Sequence, residues 1–155
     1  MSGADTLGRA TFSNALPVMK NIALVSCAKK KLAHRARAED LYISPLFKGL
    51  MGYAKSFTPD RIFILSAKYG LLDPSEEIGP YEMTLNKMRS ADAKAWACKV
   101  VEKLQKYTDL RSDHFIFLAG AAYRMHVVQY LVSYEVPLEG KSFGNQLKFL
   151  REFSK

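Results

Sequence analysis

The sequence predicts an α/β fold, a three-layer sandwich built on a mostly parallel central sheet, and three observations lead to it. Three short β-rich apolar runs, NIALVS (21–26), RIFILS (61–66) and HFIFLAG (114–120), recur along the chain. Segments whose apolar residues repeat at helical spacing separate them, so strand and helix alternate. The length, 155 residues, suits one domain around a single core.

Residues 1–19 have neither the basic start nor the continuous apolar centre of a signal peptide, and read as a mobile N-terminal extension in which Leu16-Pro17-Val18 can pack as an edge. Residues 20–155 read as a single α/β domain. The first strand ends at the small polar Ser26. After a basic loop, Ser44-Pro45 gives an N-cap with proline at the first helical position, and Leu46, Leu50, Tyr53, Ala54 and Phe57 form the expected stripe of that helix. Thr58-Pro59-Asp60 ends it. RIFILS then reads as a strand buried on both faces.

Residues 67–87 read as a long ordered loop with room for a helical turn. Ser90 is expected to cap a helix over about 91–107, with Ala93, Trp96, Ala97, Val100, Val101 and Leu104 on its core face. The third strand opens through Gly120 directly into a helix over AAYRMHVVQYLVSY (121–134), and a last amphipathic helix carries Leu147, Leu150 and Phe153.

Composition narrows the function classes. A formal net charge of +8 and a pI near 9.5 favour polyanionic or phosphorylated partners. Lys20, Lys29, Lys30, Lys31, Arg35 and Arg37 gather around the first strand with no acid before Glu39, as either a solvated loop or a phosphate-attracting rim. The two cysteines, Cys27 and Cys98, fall in different elements and read as reduced thiols of a cytoplasmic protein. No run approaches the roughly 18–20 apolar residues of a membrane span, so no membrane partner is expected.

In an open parallel sheet, ligands bind beyond the carboxyl ends of the strands. This chain concentrates its unusual residues there: SCAKKK after the first strand, SAKYG after the second, AGAAYR after the third. Ser26, Cys27 and Lys30 belong to the first exit; Ser66, Lys68, Tyr69 and Gly70 to the second; Gly120, Tyr123 and Arg124 to the third. Lysine and arginine suit phosphate, tyrosine suits stacking on a base, and Gly120 permits close backbone approach. Asp73 and Glu76 read as turn and cap residues, whereas Glu77, just before the rigid Gly79-Pro80-Tyr81 corner, is the candidate catalytic carboxylate.

Other chemistries find little support. The sequence has no GxGxxG fingerprint and no complete GxxxxGK[ST] P-loop. It has no CxxC or HxxxH pair, so neither a metal nor another cofactor is expected. Cys27, flanked by Ser26 and lysines, lacks a catalytic partner, since His34, His114 and His126 lie in no recognisable motif.

SCAKKK, LSAKYGLLDPSEEIGPYEMTL and FLAG followed by Tyr123-Arg124 resemble an uncharacterised bacterial and phage family related to the YaaA proteins, over about Asn21 to Phe149. The resemblance to YaaA itself is confined mainly to Lys68–Leu85, a Tyr-Gly-Leu-Leu turn followed by a Pro-Tyr corner. YaaA proteins are associated with peroxide stress and DNA binding, and their chains are longer. The resemblance implies a Rossmann-like or uracil-DNA glycosylase-like topology and contact with a nucleotide or nucleic acid, without transferring a reaction. The matching positions are Lys68, Tyr69, Gly70, Pro80 and Tyr81.

The expectation is therefore a nucleotide- or base-binding domain acting as an N-glycosidase-like hydrolase. Glu77 supplies the carboxylate, Tyr69 or Tyr123 the stacking face, and Lys30, Lys68 and Arg124 the phosphate contacts. The alternatives are a non-catalytic DNA-binding protein of oxidative-stress protection and a nucleotide-sensing regulatory or defence module.

Overall fold

The computed structural model describes residues 19–153, so the reading of residues 1–18 as a mobile extension lies outside the described residues. In chain order the elements are β1 (Asn21–Ser26), β2 (Ala36–Arg37), α1 (Ala38–Leu41), α2 (Pro45–Ser56), β3 (Arg61–Ser66), β4 (Gly70–Leu72), β5 (Glu77–Ile78), α3 (Ser90–Leu104), β6 (His114–Leu118), α4 (Ala121–Arg124), β7 (Ser133–Glu135) and α5 (Phe143–Phe153). Single 3-10 turns cover Leu85–Lys87 and Val128–Tyr130.

The central sheet has five strands in the order β4-β3-β1-β6-β7. β1 is parallel to both neighbours, Leu24 facing Phe63 on one side and Phe117 on the other. β7 is parallel to β6, and only β4 is antiparallel. From β1 the chain crosses through α2 to β3 on one side, then through α3 back over β1 to β6 on the other. Crossovers between parallel strands are right-handed, so these two opposite steps place α2 and α3 on opposite faces and make three layers. α5 joins α2, where Gly49 allows the approach: a Cβ there would stand 3.1 Å from Cδ1 of Leu150. Ile22–Val25, Phe63–Leu65 and Phe115–Leu118 are buried, as strands covered on both faces must be.

The structure revises several expected elements. Residues 67–87 are not one loop: β4 folds back on β3 as a hairpin and β5 pairs with β2 in a small outer ribbon, Arg37 opposite Glu77. Gly70 supplies the hairpin's left-handed residue, at φ 75°. The buried stripe of α2 is Phe47, Leu50, Met51 and Ala54, while Tyr53 turns towards Phe149 and Phe153 of α5 and Phe57 is exposed.

Ser44 caps α2, accepting from the Phe47 amide at 3.1 Å. At α3 the N-cap is Arg89, not Ser90, and the helix stops at Leu104, leaving Tyr107 to pack on Phe63. The expected helix over 121–134 is one turn only, and Ser133–Glu135 instead form the parallel edge strand β7. Of the stripe on α5, Leu150 alone is fully buried. No helix among the described residues is long and apolar enough to cross a membrane.

Candidate functional site

The strand order reverses between β1 and β6, the point where an open α/β sheet leaves a crevice at its carboxyl edge. A cleft of about 920 Å³ lies there. Ser26, Cys27, Gly120 and Tyr123 line it, as expected from the strand exits. Lys29 and Lys31 stand on the β1 side, and Lys87 and Arg89 come from the segment before α3. Two carboxylates, Glu82 and Asp92, also line it. Asp92 is paired with Arg89 at 3.3 Å, whereas Glu82 has no ion pair among the described residues.

Under the cleft lies a hydrogen-bonded group of hydroxyls. The Ser66 hydroxyl donates to the Tyr81 phenol at 2.8 Å and accepts from the Tyr69 amide at 3.0 Å. The Tyr81 and Tyr42 phenols share a hydrogen bond at 2.6 Å. Trp96 Nε1 donates to the Ser66 carbonyl at 2.8 Å, which fixes α3 to the end of β3. The Cys27 thiol donates to the Tyr123 phenol at 3.6 Å, and the Leu85 amide donates to the same oxygen at 3.4 Å. The Lys31 ammonium sits over the Tyr81 ring, 4.4 Å from its centroid, and donates to the Lys29 carbonyl at 3.0 Å.

Burial pushes the phenols of Tyr42 and Tyr123 up to about 12, and raises that of Tyr81 further in the same direction. All three therefore stay protonated near neutrality. They act as hydrogen-bond donors and apolar faces, not as bases.

A second cavity of about 270 Å³ adjoins the same strand ends. Ser26 and Gly120 line both spaces and form the divide between them. Arg124 lines only the second cavity, so the neighbours Tyr123 and Arg124 serve different sides. The Arg124 Nε donates to the Ala119 carbonyl at 3.2 Å, and its Nη1 stands 3.6 Å from Glu139.

The remaining candidates fall elsewhere. Ser66 and Tyr81 are buried in the layer below the cleft. Tyr69 packs edge-on against Tyr81 at 5.5 Å and donates to the Gly79 carbonyl at 3.3 Å, so it braces the Gly79-Pro80 corner. Gly70 makes the hairpin, and the Lys68 ammonium lies over the Tyr69 ring. Lys30, Lys68, Pro80 and Glu77 do not line the cleft; Glu77 is exposed on the outer ribbon, its carbonyl accepting from Arg35 at 3.1 Å.

Sequence reasoning missed Glu82, Lys87, Arg89 and Asp92. Their one signal is the density of charge in EMTLNKMRSAD, residues 82–92, which names no direction until the chain is folded. Among the described residues no three His, Cys, Asp or Glu side chains group as a metal site.

The profile of a family described as a family of unknown function, DUF6884, matches residues 22–152. The chain is also 41% identical over 73 residues to the uncharacterized protein YfjM of Bacillus subtilis (strain 168), a match covering 43% of this chain and 48% of that protein. The match thus spans about half of that relative's length. No solved structure matches the chain.

Proposed function

The chain belongs to the DUF6884 family of unknown function, and on that premise we propose that it binds a nucleotide, free or within a nucleic acid, in the cleft between β1 and β6 and hydrolyses its N-glycosidic bond. The observation that carries this reading is the cleft's lining: four cations, Lys29, Lys31, Lys87 and Arg89, around one carboxylate without an ion pair, Glu82. Cations on the rim suit phosphate, and Tyr123, which lines the cleft, offers a ring face and a phenol. The resemblance of Lys68–Leu85 to the YaaA proteins supports the nucleic-acid side of the reading.

In the proposed reaction Glu82 accepts a proton from water as the water oxygen bonds to the anomeric carbon, while the carbon–nitrogen bond breaks and the electron pair leaves with the base. The departing base takes up a proton, giving free base and a sugar hydroxyl. A carboxylate beside the sugar also offsets the positive charge that develops on its ring. Glu82 takes the place assigned to Glu77 because Glu82 lines the cleft and Glu77 does not.

The test is base release from nucleotides and oligonucleotides, read by chromatography, with binding measured in parallel. Glu82→Gln is expected to keep nucleotide affinity within about twofold and to lose at least about a hundredfold in turnover; Glu77→Gln is expected to change neither. Binding without release by the wild-type protein selects the non-catalytic reading. Absence of binding to any nucleotide or oligonucleotide overturns both.

A further inference from the structure

Resting on the nucleotide reading, we infer that the second cavity is the base pocket of the same site and that the base it selects is guanine. A ligand whose sugar and phosphate occupy the cleft can pass its ring over the Ser26–Gly120 divide, since both residues line both spaces. Gly120 presents no side chain there, and nothing lies within 4 Å of where its Cβ would stand. At about 270 Å³ the cavity is smaller than the roughly 300–1,000 Å³ of sites for drug-sized ligands, a size suited to one ring system. Leu46, Leu50, Phe117 and Leu138 give it apolar walls for the faces of such a ring.

Its polar edge is specific. Arg124 uses Nε on the Ala119 carbonyl, but its Nη1 contact with Glu139, at 3.6 Å, is beyond hydrogen-bond reach. The N–H groups of its two terminal nitrogens therefore have no hydrogen bond among the described residues. The Glu139 carboxylate likewise accepts none. Its position is set by a tight turn, with the Glu139 amide donating to the Val136 carbonyl at 3.0 Å and Gly140 following at φ 84°.

An arginine fork whose terminal N–H groups make no hydrogen bond among the described residues thus stands in an ion pair with a carboxylate that accepts none, and a ligand can insert between the two. Guanine matches both: O6 and N7 accept from an arginine fork, and its ring and amino N–H groups donate to a carboxylate. Adenine presents an amino donor where guanine has O6, and pyrimidines lack N7. Tyr123 and Arg124, adjacent in sequence, then divide one ligand between them.

Isothermal titration of the full chain with GMP, AMP, CMP and UMP tests this, alongside trinucleotides with a central guanine or adenine. GMP is expected to bind at least about tenfold more tightly than AMP, the discrimination of one bidentate contact. Arg124→Lys, which keeps the charge without the fork, and Glu139→Gln are each expected to reduce that preference to about twofold or less. The loss is expected chiefly in GMP affinity, with AMP affinity falling by less, and unchanged thermal melting shows that they fold. A preference confined to the guanine trinucleotide supports the inference with a polynucleotide as the source. Equal binding of all four nucleotides overturns the guanine assignment and leaves the nucleotide reading standing, whereas binding of none, in either form, overturns both.

Discussion

At the scale of single residues, the phenol layer beneath the cleft ties the site to the core. Tyr42 and Tyr123 are buried with phenols raised to about 12 from the ordinary value of 10, chiefly because burial disfavours the phenolate. Their contribution to stability is present in full below pH 10, where folded and unfolded chains are both protonated. It declines as pH rises from 10 towards 12, because the unfolded chain ionises first and binds fewer protons. Urea denaturation is therefore expected to give a flat stability from pH 8 to 9.5 and a loss on the order of 2 kcal/mol per buried phenol by pH 11.5. Tyr42→Phe removes one ionisation and should flatten that slope, and an unchanged slope would show that Tyr42 is not the group responsible. Asp113 gives a second test. Nearly fully buried, it accepts from the Lys20 amide at 3.0 Å and the Asp109 amide at 2.8 Å, joining the entry of β1 to that of β6. Asp113→Ala leaves those amides without partners and is expected to cost about 1–3 kcal/mol by the same denaturation.

At the scale of elements, the hairpin of β3 and β4 separates backbone strain from packing. Gly70 holds φ at 75°, and an added Cβ would meet nothing closer than Val100, at an ordinary 3.8 Å. Gly70→Ala should thus cost only the left-handed backbone term, roughly 1–2 kcal/mol in thermal or chemical unfolding. A larger loss would mean that packing is also disturbed. The same hairpin marks the limit of what sequence spacing reveals. β1 and β3 were legible to the residue because six-residue apolar runs with polar ends leave little choice. Three-residue strands such as Gly70–Leu72 and Ser133–Glu135 are shorter than one readable period of alternation, and pairing with a neighbour alone makes them strands. The expected helix over 121–134 failed for that reason: Val127, Val128 and Leu131 fit helical spacing, but His114 and Phe115 of β6 offered Ser133 and Tyr134 a ladder. At the site, Ser26, Cys27, Gly120 and Tyr123 were legible because strand exits mark the carboxyl edge of a sheet. Glu82, Lys87 and Arg89 were not, because the segment that carries them takes its direction from contacts distant in sequence, the Leu85 amide on the Tyr123 phenol and Trp96 Nε1 on the Ser66 carbonyl.

For the molecule as a whole, the charge of +8 is a property of the surface as well as of the site. Lys29, Lys31, Lys87 and Arg89 surround the cleft, so binding of an oligonucleotide should weaken as salt rises, because releasing its condensed counterions into a more concentrated solution gains less free energy. If two phosphates contact this rim, the slope of log affinity against log salt is about −1.4 for a single strand. Replacing Lys29 and Lys87 together by alanine should make the slope shallower while preserving the melting temperature, and a slope that does not change would place the bound strand on another face.

The strand order also governs how the chain becomes a domain. β1 is the central strand of the sheet, yet neither neighbour is local: β3 follows the whole of α2, and β6 comes only after α3. Contacts so distant in sequence form slowly, because the intervening chain must be closed into a loop before any bond rewards it. During synthesis, the buried run of Ile22 to Val25 leaves the ribosome long before His114–Leu118 can cover its second edge. The first strand of the sheet to emerge is among the last to be enclosed.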